Sequence, residues 1–176
     1  YKLRRHLDGA RICNASVALG VSLADIAKHF DTVSICLSKG LAAPMGSVLV
    51  GDAQTIATAR RWRKMVGGGM RQAGVTAAAG LYALRNNIGR LAEDHAKAHS
   101  VAHALADTPW WRLDHPPQTN MLFLDESINM GPLINHLAEA GITVNGHRWV
   151  FHQDVSGEDV ERLIEACRNY RGVAPG

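Results

Sequence analysis

Lys39 stands in Ser38-Lys39-Gly40, directly after the apolar, β-branched run Thr32-Val33-Ser34-Ile35-Cys36-Leu37, and Asp8 stands upstream in His6-Leu7-Asp8-Gly9-Ala10-Arg11. A lysine amine can form an imine with an aldehyde, and a carboxylate can keep a pyridine nitrogen protonated so that the ring accepts electrons. Lysine and aspartate in this relation are what pyridoxal phosphate chemistry asks for. The amine is nucleophilic only when neutral, so it needs surroundings that disfavour the ammonium, and an apolar strand end can supply them. In open α/β sheets functional groups gather beyond the carboxyl ends of the strands, where both residues fall. Gly40 lets the backbone run close to a cofactor. The other readings are a solvated loop lysine at position 39 and a tight turn or helix cap at Asp8-Gly9.

The elements that must position these residues follow from period and punctuation. A strand over 3–7 ends at Asp8, and a helix spans 12–19. Ser22, with Asp25 three residues on, starts a second helix as a near capping box. A strand over 32–37, the Lys39 loop and a strand over 47–50 follow, and Asp52 caps a helix to about residue 65. Gly67-Gly68-Gly69 breaks that helix. The alanine-rich stretch 70–106 reads as two helices separated near Asn86-Asn87 or Gly89. Breakers at Pro109 and Pro116-Pro117 mark 108–117 as a hinge. Beyond it come strands at 120–124, 142–144 and 149–151, a helix over 131–140 ended by Gly141, and a helix over 156–169 opened by Ser156 and Asp159 as a capping box. The alternation predicts an α/β fold, a largely parallel helix-covered sheet followed by a small α+β lobe.

The 176 residues are 47% hydrophobic and 20% charged, an ordinary globular balance. The net charge of +3 comes from scattered Lys and Arg with one dense cluster, Arg60-Arg61-Trp62-Arg63-Lys64, which argues against a nucleic-acid partner. Cys13, Cys36 and Cys167 form no C-x-x-C pair, a usage that fits a reducing compartment and a cytoplasmic location. No apolar run reaches membrane-spanning length and no secretion signal is visible, so no membrane partner is expected.

Residues 8–52 closely resemble the low-specificity L-threonine aldolases, pyridoxal-phosphate enzymes of the aspartate-aminotransferase-like fold. The resemblance implies that residues 1–108 are the second half of the pyridoxal-phosphate-binding large domain and 109–176 the small carboxyl-terminal α+β domain. It places Lys39 at the Schiff-base position, Asp8 against the pyridine nitrogen, and Arg11 near the ring oxygen and the substrate carboxylate. His147-Arg148-Trp149-Val150-Phe151-His152-Gln153-Asp154-Val155 resembles the family strand Arg-x-Val-Thr-His-x-Asp-Val, which makes Arg148 the grip on the amino-acid α-carboxylate. Here Phe151 replaces threonine and the segment 145–147 is short. A planar guanidinium can bind a carboxylate through two parallel hydrogen bonds. Arg60 to Gln72 resembles a family segment at a subunit boundary, with Lys64 best placed to approach a neighbouring site. The implied reaction is retro-aldol cleavage of L-threonine, L-allo-threonine and related β-hydroxy-α-amino acids to glycine and an aldehyde, in threonine catabolism and glycine formation. The implied assembly is a homodimer or homotetramer with shared sites.

The family's phosphate-binding turn, its ring-stacking side chain and the histidine suspected as base lie upstream of Tyr1, so the chain is expected to correspond to the later half of a subunit. On its own it is expected to bind the cofactor weakly and turn over little threonine. The alternatives are a catalytically inactive remnant or assembly segment, and a metal-binding helical module built on His95, His99 and His103. Those histidines recur along one helix face, but Glu93, Asp94 and Lys97 around them favour a solvated face, and no metal is expected. Trp62, Trp110, Trp111 and Trp149 are expected in core or interface.

Overall fold

Thr32, Val33 and Ile35 favour a pleated strand, and the computed structural model, which describes residues 3–172, forms one there. Strand β2 (Thr32–Cys36) lies between β1 (His6–Asp8) and β3 (Ser47–Gly51). β1 pairs with β2 in parallel, with Asp8 opposite Ser34, after a crossover through α1 (Ile12–Leu19) and α2 (Leu23–Ala27). β3 pairs with β2 antiparallel, with Leu49 opposite Ser34. The described sheet is therefore mixed rather than largely parallel. The loop 37–46 holds no helix, and a parallel return needs a crossover of roughly a dozen residues or more. Leu37 N–H donates to the Gly46 carbonyl at 3.0 Å to close the reversal, and Gly46 takes φ 106°.

Local signals set the helix ends. Gly20 at φ 65° closes α1 by donating to the Ser16 and Val17 carbonyls. Ser22 Oγ accepts the Asp25 N–H at 3.0 Å at the start of α2. Asp52 accepts the Thr55 N–H at 2.8 Å and opens α3 (Ala53–Met65). α4 (Gly74–Asn86) and α5 (Leu91–Ala104) divide the alanine-rich stretch at the expected break.

The chain divides into two compact units, one up to Leu91 and the other from Ala92 on. The first buries Ile12, Cys13, Val33, Leu37, Leu41, Ala83 and Leu91. Residues 108–117, expected as a hinge, lie within the second unit, whose core takes in Ala98 and Val101 of α5 and Leu105 just after it. That unit adds β4 (Met121–Phe123), α6 (Met130–Glu139), β5 (Arg148–Val150) and α7 (Gly157–Asn169), with Leu122 opposite Trp149 in an antiparallel pair. Trp110, Trp111 and Trp149 are buried there, whereas Trp62 is 59% exposed.

Residues 142–144, expected as a strand, form none. Ile142 N–H is taken by the Leu137 carbonyl at 2.9 Å to finish α6, with Gly141 at φ 75°, so the segment begins committed to the helix end. The solvated histidine face is also corrected. His99 and His103 are exposed, but Asp94 and His95 are buried. Burial pushes the His95 imidazole below its ordinary pKa and His99 adds to this, against the pull of Asp94. Among the described residues no group of His, Cys, Asp and Glu is arranged to hold a metal. No helix among them is long and apolar enough to cross a membrane.

Candidate active site

Asp8 ends β1, and its side chain shares a sheet face with His6, since alternate residues of a strand point the same way. The Asp8 Oδ1 accepts the Ala10 N–H at 3.1 Å, an Asx turn that leads the chain into α1. The turn and the functional reading therefore coexist, because the carboxylate spends one oxygen on the turn and stays exposed. Gly9 makes the turn possible. A Cβ there would lie 2.7 Å from the Ser34 carbonyl oxygen and 3.0 Å from Val33 Cγ1, so only glycine lets β1 pass this close to β2. Beside it, the His6 Nδ1 and Thr32 Oγ1 are hydrogen-bonded at 2.8 Å.

Lys39 lies beyond the carboxyl end of β2, the strand adjacent to β1, and its side chain is exposed. Its loop is tightly organised. Ala42 N–H donates to the Lys39 carbonyl at 2.8 Å and Ala43 N–H to the Leu37 carbonyl at 2.9 Å, with Ala42 in the left-handed region at φ 56°. Asn87 Nδ2 donates to the Leu41 carbonyl at 2.7 Å, and Arg90 Nη2 to the Gly40 carbonyl at 3.3 Å. A Cβ on Gly40 would fall 2.8 Å from Leu91 Cδ2 and 3.5 Å from Oδ1 of the buried Asn14. Asn14, Asn87 and Arg90 escaped the sequence reading, because nothing in their spacing ties them to a loop so distant along the chain.

Arg11 precedes α1, half-buried, at the same carboxyl edge as Asp8. Lys64 is exposed in the last turn of α3, and the glycine turn folds back on it: a Cβ on Gly69 would lie 2.6 Å from Lys64 Cδ. Asp8, Arg11, Lys39 and Lys64 thus belong to the first unit, and Arg148 belongs to the second. Arg148 starts β5 opposite Phe123, with its side chain exposed. It lines a cavity of about 470 Å³ whose walls include Asn145, Val150, Phe151, Asp159 and Arg162. The residue on each side of it is anchored. His147 Nε2 bonds the Ile128 carbonyl at 3.0 Å, and the Trp149 indole N–H donates to the Gly146 carbonyl at 3.1 Å.

The residues of the first unit fit a pyridine aldehyde. A carboxylate and a primary amine stand at the carboxyl ends of adjacent parallel strands, both open to solvent, and neither is in an ion pair among the described residues. Chemically this edge can hold a ring nitrogen at Asp8 and present an amine to a carbonyl carbon.

The beta-eliminating lyase family profile matches residues 1–127. The chain is 46% identical over 175 residues to the low specificity L-threonine aldolase of Escherichia coli K12, covering 96% of this chain and 50% of that protein. It spans about half the length of the curated relatives it matches. Among solved structures it is similar to the Leishmania major threonine aldolase, with a TM-score of 0.67 at 19% identity over 93% of this chain and 50% of that one. It is also similar to the ornithine aminotransferase of Toxoplasma gondii, whose active site is described with partial occupancy of pyridoxal phosphate, with a TM-score of 0.60 at 16% identity over 93% of this chain and 41% of that one.

Proposed function

The chain belongs to the beta-eliminating lyase family and has the fold of the type I pyridoxal-phosphate-dependent enzymes, and from that premise we propose that it carries the imine-forming half of a threonine aldolase. The proposed reaction cleaves L-threonine, L-allo-threonine and related β-hydroxy-α-amino acids to glycine and an aldehyde. One observation carries this reading: Asp8 and Lys39 stand at the carboxyl ends of adjacent parallel strands. Pyridoxal phosphate, when bound, supplies an electron sink for the pair released when the Cα–Cβ bond breaks.

The roles of the chain's own residues follow from their chemistry. Asp8, with one oxygen engaged by Ala10, has the other for a pyridinium N–H, a charge-assisted bond that keeps the proton on the ring nitrogen. The Lys39 amine would hold the cofactor aldehyde and, when free of it, would accept and return protons at Nζ. Arg148 would bind a substrate α-carboxylate through its guanidinium fork, and Arg11 would assist at a carboxylate and at the ring oxygen. The assembly we propose is a homodimer or homotetramer in which Lys64 reaches a neighbouring site. Exposed Trp62, Met65 and Val66 around it support a protein contact there. A reducing, cytoplasmic setting suits the three free cysteines, two of them buried.

Reduction by borohydride after incubation with pyridoxal phosphate, followed by peptide mapping, tests the reading. The expected result is a pyridoxyl label on Lys39 that is absent in Lys39→Ala. Label on other lysines alone would refute it.

A further inference from the structure

We propose that Asn87 and Arg90 are positioning residues for Lys39, clamping the backbone that carries it from the connection between α4 and α5. The proposal rests on the reading of Lys39 as the imine-forming residue and adds what aims its amine. β2 ends at Cys36, so Lys39 stands beyond the last residue held by the sheet ladder. A loop there keeps one geometry only if its polar backbone groups find partners elsewhere. The two carbonyls that follow Lys39 find them in side chains. The Gly40 carbonyl accepts from Arg90 Nη2 at 3.3 Å, and the Leu41 carbonyl accepts from Asn87 Nδ2 at 2.7 Å.

The remaining sides of the loop are closed by packing. Leu91, fully buried, brings its Cδ2 to 2.8 Å from where a Gly40 Cβ would be, and the buried Asn14 side chain lies against the same glycine. Leu41 is itself a core residue, so its side chain is fixed while Asn87 fixes its carbonyl. The turn from the Ala42 N–H to the Lys39 carbonyl at 2.8 Å then joins the clamped peptides to Lys39 itself. Backbone freedom at Lys39 is thereby removed, and the exposed side chain alone can swing. The guanidinium of Arg90 suits this duty because its donors lie in a rigid plane, and Asn87 suits it because a short amide loses little rotamer freedom. A reacting group displaced by about 1 Å can lose on the order of a hundredfold in rate. A clamp on the peptides next to the amine therefore affects imine formation before it affects global stability.

The test uses the whole chain and reads chemistry at Lys39 without requiring turnover. Asn87→Asp keeps the shape of the side chain and removes its N–H donor, Arg90→Ala removes the second donor, and Arg90→Lys returns a cationic donor. Each is incubated with pyridoxal phosphate, reduced with borohydride and mapped, with Lys28 and Lys97 as internal controls and a circular dichroism melt alongside. The expected result is that Asn87→Asp and Arg90→Ala each lower labelling of Lys39 on the order of tenfold while the control lysines are unchanged. Arg90→Lys should restore part of the label. Equal labelling of Lys39 in wild type and variants overturns the clamp. So does a fall shared by all lysines with loss of a cooperative melt, which would make the two residues structural. Wild type without label on Lys39 removes the imine reading itself and the clamp with it. A second measurement is independent of whether the variants fold: in the wild type the Ala42 and Ala43 amides are expected to exchange slowly with solvent deuterium, and exchange at the unprotected rate would also overturn the clamp.

Discussion

His95 shows how one side chain can carry a pH dependence. It is 7% exposed, and burial disfavours its imidazolium, so its folded pKa lies below the ordinary histidine value. The unfolded chain titrates near ~6.5, and below that pH it binds a proton that the folded state resists. The contribution of His95 is therefore fully present above ~6.5 and is lost as pH falls from there toward the depressed folded value. We expect the melting temperature of wild type to fall more than that of His95→Gln between pH 7.5 and 5, measured in the same buffers; parallel profiles would contradict it. Lys39 is the opposite kind of residue, since its environment leaves it in solvent and its role comes from where the backbone puts it. Asp8 and Lys39 were legible as candidates because their residue types suit the proposed chemistry and because one ends a strand and the other lies just past one. Asn87 and Arg90 were not, since a donor to a distant carbonyl has no signature in its own neighbourhood.

The helices whose boundaries matched the sequence are those with a local stop or start. α3 runs from the residue after Asp52 to just before the glycine break, and α7 starts after Ser156. In α7 the capping box is complete. Ser156 Oγ accepts the Asp159 N–H at 3.1 Å, and Asp159 Oδ2 accepts the Ser156 N–H at 2.9 Å. Those bonds from Ser156, backbone first, hold the Asp159 carboxyl below its usual range. Its contribution is present above the unfolded aspartate value of ~3.9 and is lost as pH falls through the lower folded value. Ser156→Ala is expected to cost about 1 kcal/mol at neutral pH in urea unfolding, and no measurable change would mean that the cap is dispensable. Residues 142–144 have the composition of a strand but form none, because α6 claims the Ile142 N–H. β-branched composition states a preference, and the competing partner for one backbone group decides the outcome.

Across the whole molecule the aromatic side chains are unevenly shared. Trp110, Trp111 and Trp149 lie in the core of the second unit, with Trp110 and Trp111 edge to face at 5.6 Å, while Trp62 of the first is exposed. Tryptophan emission therefore reports mainly on the second core. Leu133, fully buried there, is expected on replacement by Ala to destabilise that core by about 2–5 kcal/mol, read as a lower urea midpoint of the emission change. An unmoved midpoint would show that Leu133 does not support this core. The sequence by itself determined the residue types of the candidate site, the order of most elements and the helix caps, because each depends on neighbours along the chain. Only the tertiary structure decided that β3 runs antiparallel, that α5 joins the second core, that His95 is buried, and that Asn87 and Arg90 reach the Lys39 loop. Those outcomes depend on which distant groups satisfy a hydrogen bond or fill a space, and separation along the chain carries no record of them.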